Sequence, residues 1–252
     1  MTAPARTLEE MTLNHWQPLT TTLYDGWVLR FANGYTKRAN SVSPMYASNL
    51  SMDQKIATCE DSYSRRDLPT IFKLTPFSEP AELDTELDRR GYYVVEPSMV
   101  QTLELSDLPP TSKETAATIG PLSEKWIQHF CELAQLEEKH LQTMYQMLSS
   151  IAADAGYLLL YRGDNVVGCG LGIVEGDYIG LYDIVIDSQL RNRGLGEQLL
   201  LHLLHWGREH GASRSYLAVV QANAPALRLY AKLGYTEAYH YWYRVKDKTH
   251  SN

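Results

Sequence analysis

The apolar positions of this chain change period several times, and the changes divide it into elements. After a polar start, the spacing predicts a short helix over 7–16. GWVLRFANGYTKRANSV (26–42) reads as two strands around an Asn33-Gly34 turn, a dipeptide suited to the left-handed dihedrals of a tight hairpin. A helix is expected over 52–67, a strand over 70–75, and a helix in AELDTELDRRGYY stopped by Gly91. Strands follow in VVEPSMVQTLEL. Segment 106–121, SDLPPTSKETAATIGP, holds three prolines and few apolar residues. It reads as a linker or as the extended start of the next unit.

The second half has clearer periods. Helices are expected over 122–136 and 137–153, then a hairpin of YLLLYR (157–162) and VVGCGLGIV (166–174) around Gly163-Asp164-Asn165. YIGLYDIVID (178–187) is a further strand. A helix from about 194 to 210 ends at Gly211, and SYLAVV (215–220) is an apolar strand. The next helix has Asn223 at its cap and Gly234 past its end, and YHYWYRV (239–245) closes the chain as a strand. Antiparallel strands followed by strand–helix–strand–helix–strand indicate a mixed α/β fold. A faint repeat relates 82–105 to 224–245: each reads strand, helix, Gly-Tyr, strand, and this matching order of elements suggests two related domains, 1–110 and 111–252.

Composition narrows the function. A chain of 252 residues has room for one large domain or two smaller ones. The net charge of −7 argues against a nucleic-acid partner, which needs a basic footprint, and mildly favours small cationic ones. Cys59, Cys131 and Cys169 stand far apart, with no metal or disulfide spacing. No secretory leader and no membrane-length apolar run is visible, so the expectation is a soluble cytoplasmic protein. Seventeen tyrosines against four phenylalanines suit half-buried surfaces that need a polar tip.

The most informative stretch is RNRGLG, residues 191–196, between a strand and a helix. A helix opened by glycines presents free N–H groups and partial positive charge, a place suited to phosphate. Gly194 and Gly196 permit close approach, and Arg191 and Arg193 add charge at the rim. Neither a dinucleotide fingerprint nor a phosphate-binding G-x-x-x-x-G-K-[ST] loop is present. A solvated turn with packing glycines remains the plainer alternative.

Arg191-Asn192-Arg193-Gly194-Leu195-Gly196 resembles R/Q-x-x-G-x-G/A, the acetyl-CoA pyrophosphate loop of the GNAT N-acetyltransferases. Asn223-Ala224-Pro225-Ala226-Leu227-Arg228-Leu229-Tyr230 resembles that family's N-x-x-A-x-x-x-Y signature, and Lys232-Leu233-Gly234-Tyr235 its usual ending. The resemblance covers 122–245. It implies tandem GNAT-like, mostly antiparallel sheets flanked by helices. It also implies acetyl-CoA as co-substrate and a primary amine as acceptor, with no metal. The amides of 191–196 would hold the pyrophosphate, and backbone N–H groups around Ile184, Val185 and Ile186 the acetyl carbonyl. Asn223 would contact the pantetheine arm, and Tyr230 would serve as acid toward the leaving thiolate.

The base is open. Asp183 lies on the face opposite Ile184 and Ile186 by strand alternation. Glu137 and His140 are candidates for the acceptor pocket, or simply an exposed helix face. Arg38-Ala39-Asn40-Ser41 is either cleft lining or an edge turn. The first half resembles the N-terminal domain of two-domain GNAT proteins such as mycothiol synthase-like enzymes. Its loop position, SVSPMYASNLSMDQK, has no glycine, so no CoA site is expected there. Two alternatives stay open: a noncatalytic acyl-CoA-binding regulator, and a transferase with another acyl donor. The oligomeric state is open too, a homodimer among the options.

Overall fold

The structure, a computed structural model, describes residues 5–247. Helix α1 (Ala5–His15) leads to strands β1 (Thr20–Tyr24) and β2 (Trp27–Phe31). The tight turn between these strands is Asp25-Gly26, with φ of 42° and 83°, and Tyr24 pairs with Trp27. This corrects the expected strand pair around Asn33-Gly34. Those residues do turn the chain, with φ of 50° and 73°, but a 3-10 turn at Lys37–Ala39 follows. The cause is Asn40. Its Oδ1 accepts from the N–H groups of Ala32 and Gly34, and its amide donates to the Thr36 carbonyl. The loop thereby satisfies its own backbone, which a strand partner would otherwise do. The chain returns to β2 only at β3 (Val42–Pro44).

Then come α2 (Met52–Ser64), β4 (Thr70–Leu74), α3 (Leu83–Arg89) and one long strand, β5 (Tyr93–Glu104). Part of the proline-bearing segment is itself a strand, β6 (Ala116–Gly120). The second half continues with α4 (Glu124–Ala134), α5 (Glu138–Ser149), β7 (Asp154–Arg162), β8 (Asn165–Glu175) and β9 (Tyr178–Ile186). It ends with α6 (Leu195–Glu209), β10 (Arg214–Val220), α7 (Ala224–Leu233) and β11 (Thr236–Lys246).

Among the described residues the strands form one 11-stranded sheet, in the order β1-β2-β3-β4-β11-β5-β10-β9-β8-β7-β6. It is mostly antiparallel; β3–β4 and β9–β10 are the parallel pairs. The two halves interlock. β5 lies between β10 and β11, and β11 lies between β4 and β5. The faint repeat is visible here: β4-α3-β5 and β10-α7-β11 share one layout, with left-handed Gly91 and Gly234 after the helices and buried Tyr92 and Tyr235 next.

Helices α1, α4 and α5 cover one face, through Leu8, Trp126, Phe130 and Met144. On the other face α6 and α7 pack beside α2 and α3. A glycine stripe on β8 lets α6 lie close: a Cβ at Gly170 would stand 2.8 Å from the Leu199 side chain. α1 belongs to the first half yet docks on the second. His15 Nδ1 is 2.6 Å from the Tyr216 hydroxyl, which is 2.7 Å from that of Tyr182, and Trp16 stacks on Tyr182. This places the end of α1 against the central strands.

Candidate active site

β9 and β10 pair only from Tyr178 opposite Arg214 to Leu181 opposite Leu217. Beyond that, β9 follows β8 while β10 follows β5, and a wedge opens between them. A bulge starts the wedge. Tyr182 pairs with Leu171 and Val185 with Cys169, so Asp183 and Ile184 together oppose the single residue Gly170. Asp183 adopts φ of 50°, a left-handed conformation that a non-glycine strand residue takes only when the surroundings enforce it. Ile184 and Ile186 pack toward α6, and Val185 toward the opposite face. Asp183 faces away from Ile184, as alternation over 183–186 predicts, and the bulge puts it on the same face as Tyr182.

At the end of β9, RNRGLG turns the chain into α6. Gly194 is the N-cap with φ of 78°, and no side chain caps the helix. The first-turn N–H groups are therefore left for solvent or a ligand, with the helix dipole behind them. A Cβ at Gly196 would lie 3.1 Å from the Leu229 side chain of α7, so glycine keeps α6 and α7 close. Asn192 is left-handed too, with φ of 61°. Arg191 and Arg193 are exposed and have no ion-pair partner among the described residues. Leu195 turns its side chain into the core and offers only its backbone. This donor set fits a pyrophosphate.

Asn223 accepts from the Ala226 N–H at 3.2 Å and so caps α7, and its amide nitrogen has no partner among the described residues. Tyr230 is buried in the apolar cluster that holds Ile184 and Ile186, and its hydroxyl has no hydrogen-bond partner among the described residues. Burial pushes its pKa up to about 12. A phenol so raised holds its proton more tightly than a free one.

On the face opposite α6, a cleft of about 350 Å³ abuts the wedge. Asp183 and Val220 reach it from the two splayed strands, Tyr35 and Arg38 from the loop after β2, and Tyr241 from β11. Trp16 closes one side. Asp183 Oδ2 is buried with no hydrogen-bond partner among the described residues, and burial raises the carboxyl pKa to about 7, with Arg38 opposing in part. The Arg38 guanidinium lies 5.8 Å from the rings of both Trp16 and Tyr182. Lys37 and Glu96, also at the cleft, pair with each other at 2.6 Å.

Of the polar segment 38–41, only Arg38 lines the cleft; Ala39, Asn40 and Ser41 are buried behind it. Glu137 is exposed and paired with Lys139 at 2.7 Å, outside the cleft. His140 touches it only through Tyr35, at 5.4 Å between rings. Sequence reasoning did not single out Trp16, Tyr35 or Ser98. The tyrosines of YHYWYRV divide: Tyr241 and Tyr243 line the cleft, while Tyr239 is buried against Glu9 at 2.7 Å.

The equivalent loop of the first half, between β3 and α2, is closed from within. The N–H groups of Asn49 and Leu50 donate to the Asp25 carboxylate at 3.0 and 2.9 Å. These backbone bonds lower the Asp25 pKa, and buried Lys55 adds a 3.6 Å ion pair. Ser51 caps α2 through the Gln54 N–H. A protein carboxylate thus takes the loop amides just before the α2 cap, and Ser51 takes the Gln54 N–H, whereas α6 has no side-chain cap. Among the described residues no cluster of His, Cys, Asp or Glu is placed to hold a metal, and no helix is long and apolar enough to cross a membrane.

Comparison with known proteins gives two family matches. The Acetyltransferase (GNAT) family model matches residues 123–235, and that of the probable histone acetyltransferase Rv0428c C-terminal matches residues 2–130. The chain is 25% identical over 247 residues to the uncharacterized N-acetyltransferase YobR of Bacillus subtilis, covering 96% of this chain and 98% of YobR. It is 36% identical over 86 residues to mycothiol acetyltransferase of Corynebacterium glutamicum, covering 34% of this chain and 30% of that enzyme. Among solved structures, a GCN5-related N-acetyltransferase from Kribbella flavida superimposes with a TM-score of 0.75 at 16% identity, covering 100% of this chain and 98% of that one.

Proposed function

The chain belongs to the GNAT family of N-acetyltransferases, and on that premise we propose that it moves an acetyl group from acetyl-CoA to a primary amine held beside Asp183. The observation that carries this reading is the position of Asp183. It stands on the splayed strand, at the mouth of a cleft that opens opposite the uncapped start of α6.

Acetyl-CoA supplies an activated thioester. The amides of 191–196 bind its pyrophosphate, with Arg191 and Arg193 at the rim. The β9 backbone around Ile184, Val185 and Ile186 is unpaired on its β10 side and offers hydrogen bonds to the acetyl and pantetheine groups. The free amide of Asn223 contacts the same arm. Asp183 accepts the proton of the incoming ammonium. A carboxyl with a pKa of about 7 is half ionised at neutral pH, the condition that suits a general base. Tyr230, held protonated by burial, donates a hydrogen bond and then a proton toward the departing sulfur.

Residues 111–252 carry the donor site. Residues 1–110 wall the acceptor cleft and bind no second CoA, a reading supported by the Asp25 carboxylate on the loop before α2. The protein acts in the cytoplasm without metal or nucleic acid. The test is release of free thiol from acetyl-CoA on mixing with a panel of primary amines. Acetylated amine formed in step with thiol by the wild type, and strongly reduced by Asp183→Asn, supports the reading. Equal turnover by Asp183→Asn removes the base assignment.

A further inference from the structure

The cleft holds two charged groups that feel each other electrostatically but form no direct contact. Asp183 and Arg38 both line it, yet no ion pair or hydrogen bond joins them. Asp183 has a buried oxygen without a partner among the described residues, so one side of the cleft lacks a donor. The Arg38 guanidinium makes no hydrogen bond or ion pair among the described residues, and its planar faces rest near Trp16 and Tyr182. Its N–H groups are therefore unspent. The other charges at the cleft cancel locally, because Lys37 and Glu96 pair at 2.6 Å.

A partly buried guanidinium left without an acceptor is costly, and a planar fork of donors matches a carboxylate. Arg38 is anchored from behind: its own carbonyl accepts from Arg30 at 2.6 Å, and Asn40 ties down the surrounding loop. Tyr35, Tyr241 and Tyr243 line the remaining walls together with Thr36, Ser98 and Val220. A cleft of about 350 Å³ is of a size to hold a small molecule. The amine must sit at Asp183, and the complementary anion at Arg38.

We propose that the acceptor is a small amino acid–like zwitterion, its amine at Asp183 and its carboxylate read by Arg38. This rests on the acetyl-transfer reading above and names the substrate class of that site. Arg38 is then the specificity-determining residue, supplied by the first half of the chain to a reaction run by the second. A peptide N-terminus, whose carboxylate is remote, does not satisfy both charges.

The test compares free L-amino acids with their methyl esters and with the corresponding decarboxylated amines. Binding is measured by calorimetry in the presence of CoA, and turnover by thiol release with acetyl-CoA. One or more free amino acids should bind and react, and their neutral-carboxyl counterparts should lose at least about tenfold in kcat/KM. Arg38→Met should raise KM for the amino acid about 10- to 100-fold with a much smaller change in kcat, and Arg38→Lys should recover part of the loss. A general structural defect would instead lower acetyl-CoA affinity, which is measured on the same variants. Decarboxylated amines or esters used as well as the amino acids would overturn the proposal, as would no amino acid binding to the CoA complex. Absence of acetyl-CoA binding by the wild type would instead remove the acetyl-transfer reading beneath it.

Discussion

Asp183 and Arg38 face one cleft from opposite halves of the chain without pairing. The interlocked sheet makes this possible. β11 crosses to β4, β5 crosses to β10, and the loop after β2 comes to lie over the bulge in β9. The cleft is thus lined by a carboxylate oxygen and a guanidinium that have no hydrogen-bond partner among the described residues.

The pKa of Asp183 sets the pH dependence. Burial raises it to about 7, so the carboxylate form grows as pH rises through neutrality. kcat/KM with a saturating acetyl donor should climb with pH and level off above about 7, and Asp183→Asn should remove that limb. A profile of unchanged shape in Asp183→Asn would assign the limb to the amine itself.

The same group should cost stability. Between the ordinary carboxylate range and about 7, the folded protein keeps a proton on Asp183 that the unfolded chain has lost. Its contribution therefore falls as pH rises through that window, by about a few kcal/mol once pH exceeds the folded value. Asp183→Asn should melt several degrees higher than the wild type at pH 8, with the gap closing toward pH 4. Thermal denaturation at the two pH values measures this, and an equal or lower melting temperature at pH 8 would contradict it.

Much of this was legible in the residues, because each readable feature has a local cause. RNRGLG specifies an uncapped helix start through Gly194 and Gly196, and Asn223 with Gly234 marks both ends of α7. The hairpin near residue 30 was misread because the Asn33-Gly34 turn is real but its strand partner is displaced by Asn40, a side-chain effect with no period. The Asp25-Gly26 dipeptide carried the correct signal. The cleft was hardly legible at all. Trp16, Arg38, Glu96, Asp183 and Tyr241 lie far apart in the chain, and only the strand exchange brings them together. The left-handed Asp183 also had no warning in an apolar strand.

Tyr230 should matter to turnover and little to binding. Its phenol, pushed up to about 12, is a stable donor but a reluctant acid. Tyr230→Phe should lower kcat about 10- to 100-fold, with acetyl-CoA affinity near that of the wild type. An unchanged kcat would show that the leaving thiolate takes its proton from water.

Asp25 should be structural. Asp25→Ala strips the carboxylate from the Asn49 and Leu50 amides and leaves Lys55 without its ion pair. The melting temperature should fall while acetyl-CoA still binds at one site per chain. Appearance of a second site would mean that the carboxylate, rather than the missing glycines, is what closes the first-half loop.

The most direct test of the central claim is calorimetric titration of the protein with acetyl-CoA, with sites counted per chain. The account predicts one site, weakened at least about tenfold by Gly196→Leu, whose side chain would press on Leu229 and so shift the first turn of α6, with its amides, away from α7. No binding at millimolar acetyl-CoA, or binding that Gly196→Leu leaves intact, would contradict it.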